Sequence, residues 1–469
     1  MAQNFIACDR EQELLLPPSL REWLPEEHFA WFVLDAVGEL DLAAFYARYR
    51  DDGWGRAAHD PAMMVALFVY AYAIGERSSR GIERRCRDDV AFRVITANRA
   101  PDHATIARFR VRHEAAIAGL FGEVLALCAR SGLVKVGVVA VDGTKIAAAA
   151  THHATRDYPQ IAREILEEAA RVDAAEDALF GEERGDELPE GLRTSGDRRK
   201  VLREAKQALD AERAAQAKPV PRDRSERLNE CRRRLRQDWE LERYVVSEHA
   251  AWHAAGIASD GSRRMVGARH NIKPYPLPAQ PEGKINVTDP DSRNLKTTRG
   301  WVQGYNAQAV VGEGQIVLAA EISTESLDTA NLQPMIETAL RELAAAGIRE
   351  TPGAVLADAG YWKNEAIEAL CANGIPTLVA PDADRRKEPR PGRRGGLYDF
   401  ARRVLATEWG AELYLRRQGS VEPVFGQIKA NRGANRFLRR GRSAVRSEWR
   451  LLTATHNLLK LHRHQLATA

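Results

Sequence analysis

Cysteine is scarce in this chain. Cys8, Cys86, Cys128, Cys231 and Cys371 are scattered, odd in number and never in C-x-x-C spacing. No disulfide framework and no cysteine-based zinc site is read from them, and the usage fits reduced thiols of the cytosol. Long apolar runs are missing too. The longest, Met63 to Ile74, falls well short of the ~18 residues that a membrane helix needs. The N-terminus has no basic head followed by an apolar stretch, so no signal peptide is expected. Walker A, G-x-G-x-x-G and G-x-S-x-G patterns are absent, which argues against nucleotide-driven and serine-hydrolase chemistry. His249 and His253 stand four apart, but Glu248 precedes the pair instead of lying between them, so the zinc motif H-E-x-x-H is not formed. No long-period repeat recurs, which excludes solenoid architectures.

What remains is a soluble globular composition, 44% apolar and 29% charged, in a chain of 469 residues that is long enough for two or three domains. The net charge of +4 is small, but its distribution is uneven. Between Arg385 and Arg450 there are 18 lysines and arginines against six acids, most of the basic residues being arginine. Arginine grips phosphate oxygens bidentately, so this segment points to a polyanionic partner.

Residues 1–135 read as helical. Asp60-Pro61 starts one helix and Gly75 closes it; Arg77 to Ile95 is a second helical stretch. Pro101-Asp102 then introduces a segment in which Arg108 and Arg112 share one helical face and Ile106, Phe109 and His113 another. With Thr105, Arg108 and Arg112 turned outward, this is how a helix-turn-helix presents side chains to DNA; a plain three-helix bundle is the alternative. Residues 136–152 form the first strand of a sheet. Residues 153–258 read as long amphipathic helices, either an interaction arm or a decorative insertion, and 259–300 as a loop or linker. Asp289-Pro-Asp291-Ser292 is read as a turn. From 301 to 469 come a hairpin, the helix Asp328 to Ala346, a strand, a helix, a strand and basic C-terminal helices.

Three acids carry the chemistry. Asp142 ends the apolar run Val136-Gly-Val-Val-Ala-Val141, and Asp358 ends Ala354-Val-Leu-Ala357. Glu422 opens a helix pattern in which Ser420 caps and Pro423 falls in the first turn. Two carboxylates on adjacent strand ends and one on a covering helix suit a pair of divalent cations, and oxygen donors select Mg²⁺ or Mn²⁺. Such a pair activates an attacking oxygen and neutralises a leaving one in phosphodiester chemistry. Lys429, seven residues past Glu422, is read either as a phosphate contact or as an ordinary surface lysine.

The words Val141-Asp-Gly-Thr-Lys145, Gly304-Tyr-Asn-Ala-Gln308, Leu356-Ala-Asp-Ala-Gly-Tyr361 and Val421-Glu-Pro-Val-Phe-Gly-Gln-Ile-Lys429 resemble those of bacterial insertion-sequence transposases of the DDE type. The resemblance covers nearly the whole chain. Related transposases carry a Tyr-x2-Arg-x3-Glu-x6-Lys signature; Tyr414, Arg417, Glu422 and Lys429 match it with four residues instead of three before the glutamate. The resemblance implies an α/β fold with an RNase H-like mixed-sheet core, interrupted by a helical insertion after its first strand and preceded by an all-helical DNA-binding domain. It implies that Asp142, Asp358 and Glu422 bind two Mg²⁺ or Mn²⁺ ions, with Lys429, Arg417 and Tyr414 on DNA. It further implies cleavage of terminal inverted repeats and strand transfer into target double-stranded DNA. A homodimer or larger assembly in the cytoplasm, nucleoid-associated when on DNA, is expected, without membrane or nucleotide cofactor. A metal nuclease without strand transfer, or a catalytically silent DNA-binding protein, are the alternatives.

Overall fold

The computed structural model describes residues 5–6, 9, 11–12, 19–50, 57–165, 167, 220–255, 281, 283–297, 300–325, 328–382 and 395–468. The expected helices between 168 and 219, and most of the 259–300 loop, lie outside the described residues. The chain divides into two compact units, one of residues 1–149, 294–439 and 444–469, the other of 150–293 and 440–443.

The strands, in chain order, are β1 (Phe5–Ile6), β2 (Ala58–His59), β3 (Val138–Ala147), β4 (Thr155–Asp157), β5 (Lys284–Asn286), β6 (Arg293–Thr297), β7 (Gly300–Val311), β8 (Val317–Ser323), β9 (Ala354–Ala357) and β10 (Thr377–Val379). Two of them, β5 and β6, fall inside the stretch expected to be loop. The larger unit is built on a six-stranded mixed sheet in the order β10-β9-β3-β7-β6, with β8 also on β7. β3 runs antiparallel to β7 and parallel to β9, and β9 parallel to β10. Val139 to Val141 of β3 and Val355 to Ala357 of β9 are buried and apolar on both faces, as central strands are. Gly304 is fixed by the β3–β7 pairing: a Cβ there would stand 2.2 Å from the Ile146 carbonyl oxygen, so only glycine lets the two backbones approach.

The helix Leu332–Ala345 packs on β7 and β8, and Glu408–Gly426 on β3. The C-terminal helix Arg442–Thr468 is buried over most of its length. Its Trp449 donates Nε1–H to the Gln308 carbonyl at 2.9 Å, and Asn457 brackets both backbone groups of Val317 at 2.8 and 2.9 Å.

The N-terminal helices are Phe29–Gly38, Ala43–Tyr46, Pro61–Ala73, Ser79–Asp88, Val90–Ile95, His103–Arg112 and Glu114–Arg130. Pro61–Ala73 is apolar all round and buried all round, as a central helix must be. Asp60 caps it and Gly75 ends it at φ +88°. Arg77 carries this region to the C-terminal helix through a buried ion pair with Glu448 at 2.9 Å; Glu448 also accepts from the backbone of Leu438 and Arg439.

In the smaller unit β4 pairs with β5, and Leu228, Cys231 and Leu235 of the helix Arg224–Ala255 bury themselves with Ile161, Ile285 and Val287. The Asp289–Ser292 segment is a turn closed by the Ser292 N–H on the Asp289 carbonyl at 3.1 Å.

Candidate active site at the edge of the mixed sheet

β3 and β9 pair in register up to Val141 and Ala357. Asp142 and Asp358 are the next residues on each, so two carboxylates stand side by side where the parallel pairing stops. Asp142 ends the apolar run but not the strand, in keeping with the expected strand over 136–152. β3 continues to Ala147, because β7 goes on pairing with it on the other side, Asp142 opposite Ala309. Asp358 does end its strand and caps a short 3-10 turn, its Oδ1 accepting the Gly360 N–H at 2.9 Å.

Burial raises the Asp142 carboxyl to about 7, with the Asp358 charge adding to it; the Gly143 N–H at 2.7 Å and the Arg417 guanidinium pull the other way without prevailing. Asp358 is also raised, first by burial. Both effects disfavour the charged form.

Arg417 reaches Asp142 Oδ2 through Nη1 at 3.1 Å, buried, with its guanidinium over the Tyr414 ring. Burial works against its charge, but Tyr414, Asp142 and Asp358 outweigh that and hold it above its ordinary value. Lys429 donates to Thr144 Oγ1 at 2.9 Å and to the Lys145 carbonyl at 3.2 Å, next to the acids along β3.

Glu422 is not drawn in. It lies late in a 19-residue helix, not at the start of one: Thr407 is the cap, and Ser420 donates its hydroxyl to the Arg416 carbonyl instead of capping. Arg417, Val421 and Val424 share the buried face, four and three residues apart. Five residues after Arg417 is a rotation of about 140° beyond a full turn, so the extra residue before Glu422 swings it to an exposed position. A five-residue π-helical segment, Gln427–Asn431, follows; such irregularities often accompany functional sites.

Thr105, Arg108 and Arg112 lie on the helix His103–Arg112, the two arginines exposed and Thr105 half-buried. Thr105 bonds its cap Asp102, Arg108 bonds Thr105 at 3.2 Å, and Arg112 sits over the Tyr49 ring.

The site holds a third acid, Asp328, whose sequence pattern marks only the expected start of the helix Asp328 to Ala346. Asp328 accepts from Asn306 Nδ2 at 2.6 Å and Gln308 Nε2 at 2.8 Å, and pairs with Lys145 at 3.1 Å. Gln308 in turn accepts from the buried Tyr361 hydroxyl. Nothing local marks Asp328; its partners come from β3 and β7, and only Lys145, Asn306, Gln308 and Tyr361 fall within the recognisable words.

Asp142, Asp358 and Asp328 bring three carboxyl groups into a largely buried site, beside Arg417, Lys145 and Lys429. Asn306 Oδ1 is a buried acceptor with no donor among the described residues, close to where a Cβ on Gly143 would lie. All-oxygen donors and an unanswered acceptor fit a hard divalent cation. Among the described residues, though, no three acidic, histidine or cysteine side chains are gathered closely enough to hold one ion.

The profile of the transposase domain (DUF772) family matches residues 18–112, and that of the transposase DDE domain family matches 395–462. No curated protein and no solved structure matches the chain. No described helix is long and apolar enough to cross a membrane. The first match covers most of the N-terminal helices, and the second spans Arg417, Glu422, Lys429 and most of the C-terminal helix. They indicate a role in transposition and a DNA substrate. Both matched families are transposase domains, and together they support a DDE-type insertion-sequence transposase.

Proposed function

We propose that the chain cuts the ends of its transposon and joins the freed 3′-hydroxyl to target DNA, with Asp142 and Asp358 as the metal-binding centre. The observation that carries this reading is the pairing of β3 with β9, which sets two raised carboxylates side by side one residue past their last shared register position. The order β8-β7-β3-β9-β10, with the first two pairings antiparallel and the last two parallel, supports an RNase H-like core.

Asp142 and Asp358 would hold Mg²⁺ or Mn²⁺. When bound, the ions supply activation of the attacking oxygen and charge neutralisation at the leaving one. The chain's own contribution is placement. Gly143 and Gly360 leave room beside the acids for the side chains of Asn306, Gln308 and Asp328 to pack against the backbone. Arg417 neutralises Asp142 in the resting protein, and transfer of its guanidinium to a DNA phosphate frees that carboxylate. Glu422 completes the acidic set on DNA, and Lys429, anchored on Thr144, meets the phosphate next to the cut. Thr105, Arg108 and Arg112 would read the terminal repeat, and a dimer would pair the two ends.

The test is a duplex bearing the element's terminal repeat, incubated with the protein, Mg²⁺ and a supercoiled plasmid. Joined product is expected. Cleavage without joining would support a hydrolytic nuclease, and binding without cleavage a silent DNA-binding protein.

A further inference from the structure

We propose that Asp328 is a positioning residue for the metal centre, fixing Asp142 and Asp358 relative to each other; this rests on the function proposed above. The carboxylate stands where three chain segments meet. Its Oδ2 pairs with Lys145 of β3, three residues past Asp142, and its Oδ1 takes hydrogen bonds from Asn306 and Gln308 of β7. Those two residues lie opposite Lys145 and Gly143 in the β3–β7 register. Gln308 then passes the link on: its side-chain oxygen accepts the hydroxyl of Tyr361, three residues past Asp358 and fully buried. One carboxylate is thus joined to the Asp142 strand directly and to the Asp358 turn through a single glutamine.

The fit is tight on both sides. A Cβ on Gly143 would stand 2.9 Å from Asp328 Oδ1, and one on Gly360 would stand 3.6 Å from its Oδ2. Asp328 therefore borders the backbone next to each metal-binding acid. Carboxylates behind a metal site orient the ligands in front of them, and their loss commonly costs ~10–100-fold in metal affinity. Four hydrogen-bonding side chains converging on or through one acid is more than a surface helix start requires, and no local capping bond of the helix Leu332–Ala345 uses it.

The experiment compares wild type, Asp142→Asn, Asp328→Asn and Asp328→Glu. Binding of Mn²⁺ alone is followed by electron paramagnetic resonance on the DNA-free protein, beside the Mg²⁺ dependence of cleavage of a terminal-repeat duplex. Asp328→Asn is expected to weaken Mn²⁺ binding about tenfold or more and to raise the Mg²⁺ needed for half-maximal cleavage by a similar factor, with duplex affinity within about twofold of wild type. Asp328→Glu keeps the charge but moves the carboxylate by one methylene, and is expected to fail to restore either value. If Asp328→Asn does not fold, Asp328→Glu carries the same expectation. Wild-type Mn²⁺ binding and Mg²⁺ dependence in the folded variant would overturn the proposal. Should Asp142→Asn also leave Mn²⁺ binding unchanged, the metal centre itself is wrong; loss with Asp142→Asn alone would refute only the role of Asp328.

Discussion

Asp358→Asn should slow cleavage of a terminal-repeat duplex about a thousandfold or more, while affinity for that duplex stays within about twofold. The substitution keeps the shape of the side chain and removes one charge. The Gly360 N–H that Asp358 accepts remains served, since the amide oxygen can take the same bond. What is lost is a charged oxygen facing the cation. A divalent ion contributes several kcal/mol of transition-state charge stabilisation, and about 4 kcal/mol corresponds to roughly a thousandfold in rate. DNA affinity rests on the arginine-rich surfaces, so it should barely change. The two readouts are single-turnover cleavage and fluorescence anisotropy; unchanged cleavage with binding intact would mean that the active site has been wrongly assigned.

Asp142→Asn should stabilise the metal-free protein at pH 8 by about 2 kcal/mol while abolishing cleavage. Folding raises this carboxyl from its ordinary value to about 7, chiefly by burial and then by Asp358. A group whose pKa is raised in the folded state binds its proton more tightly there. Its contribution is complete below about pH 4 and is lost as pH rises through about 7. A shift of about three units corresponds to roughly 4 kcal/mol. That shift already contains the pull of Arg417, and solvent reaching the part-exposed carboxylate brings the expected gain down to about 2 kcal/mol. Urea unfolding in chelator should show the variant ahead at pH 8 and level with wild type near pH 4. Added Mg²⁺ should raise the midpoint of wild type alone, since only an ion that binds the native state stabilises it. A variant less stable than wild type at both pH values would contradict this account.

The strand pair at the centre of the site was legible because its residues obey a local rule. Val138 to Val141 and Ala354 to Ala357 are unbroken apolar runs, as strands buried on both faces must be, and an acid following each marks where burial ends. The continuation of β3 past Asp142, expected over 136–152, is held in place by β7, more than 150 residues away. The helix bearing Glu422 departs from its local pattern for a different reason. Ser420 followed by Glu422-Pro423 looks like a cap and a first turn, whereas the helix begins at Glu408 behind Thr407. Proline is tolerated inside it because its missing N–H would have bonded the Gly419 carbonyl, and Gln315 Nε2 serves that oxygen at 3.2 Å from the loop between β7 and β8. The compensation comes from a residue far away in sequence. Asp328 escaped notice on the same grounds, since its meaning lies in Lys145, Asn306 and Gln308.

The spacing before Glu422 shows the opposite case, in which one inserted residue had a direct geometric consequence. With Arg417 on the buried face, Glu422 is turned toward solvent, so the proposed function requires its recruitment during the reaction.

The most direct measurement is anomalous diffraction from crystals of the protein on its terminal-repeat duplex in Mn²⁺. The account predicts a peak within about 2.3 Å of carboxylate oxygens from both Asp142 and Asp358, with Arg417 moved off Asp142. Manganese bound elsewhere, with Arg417 still paired to Asp142 on cleavable DNA, would contradict it.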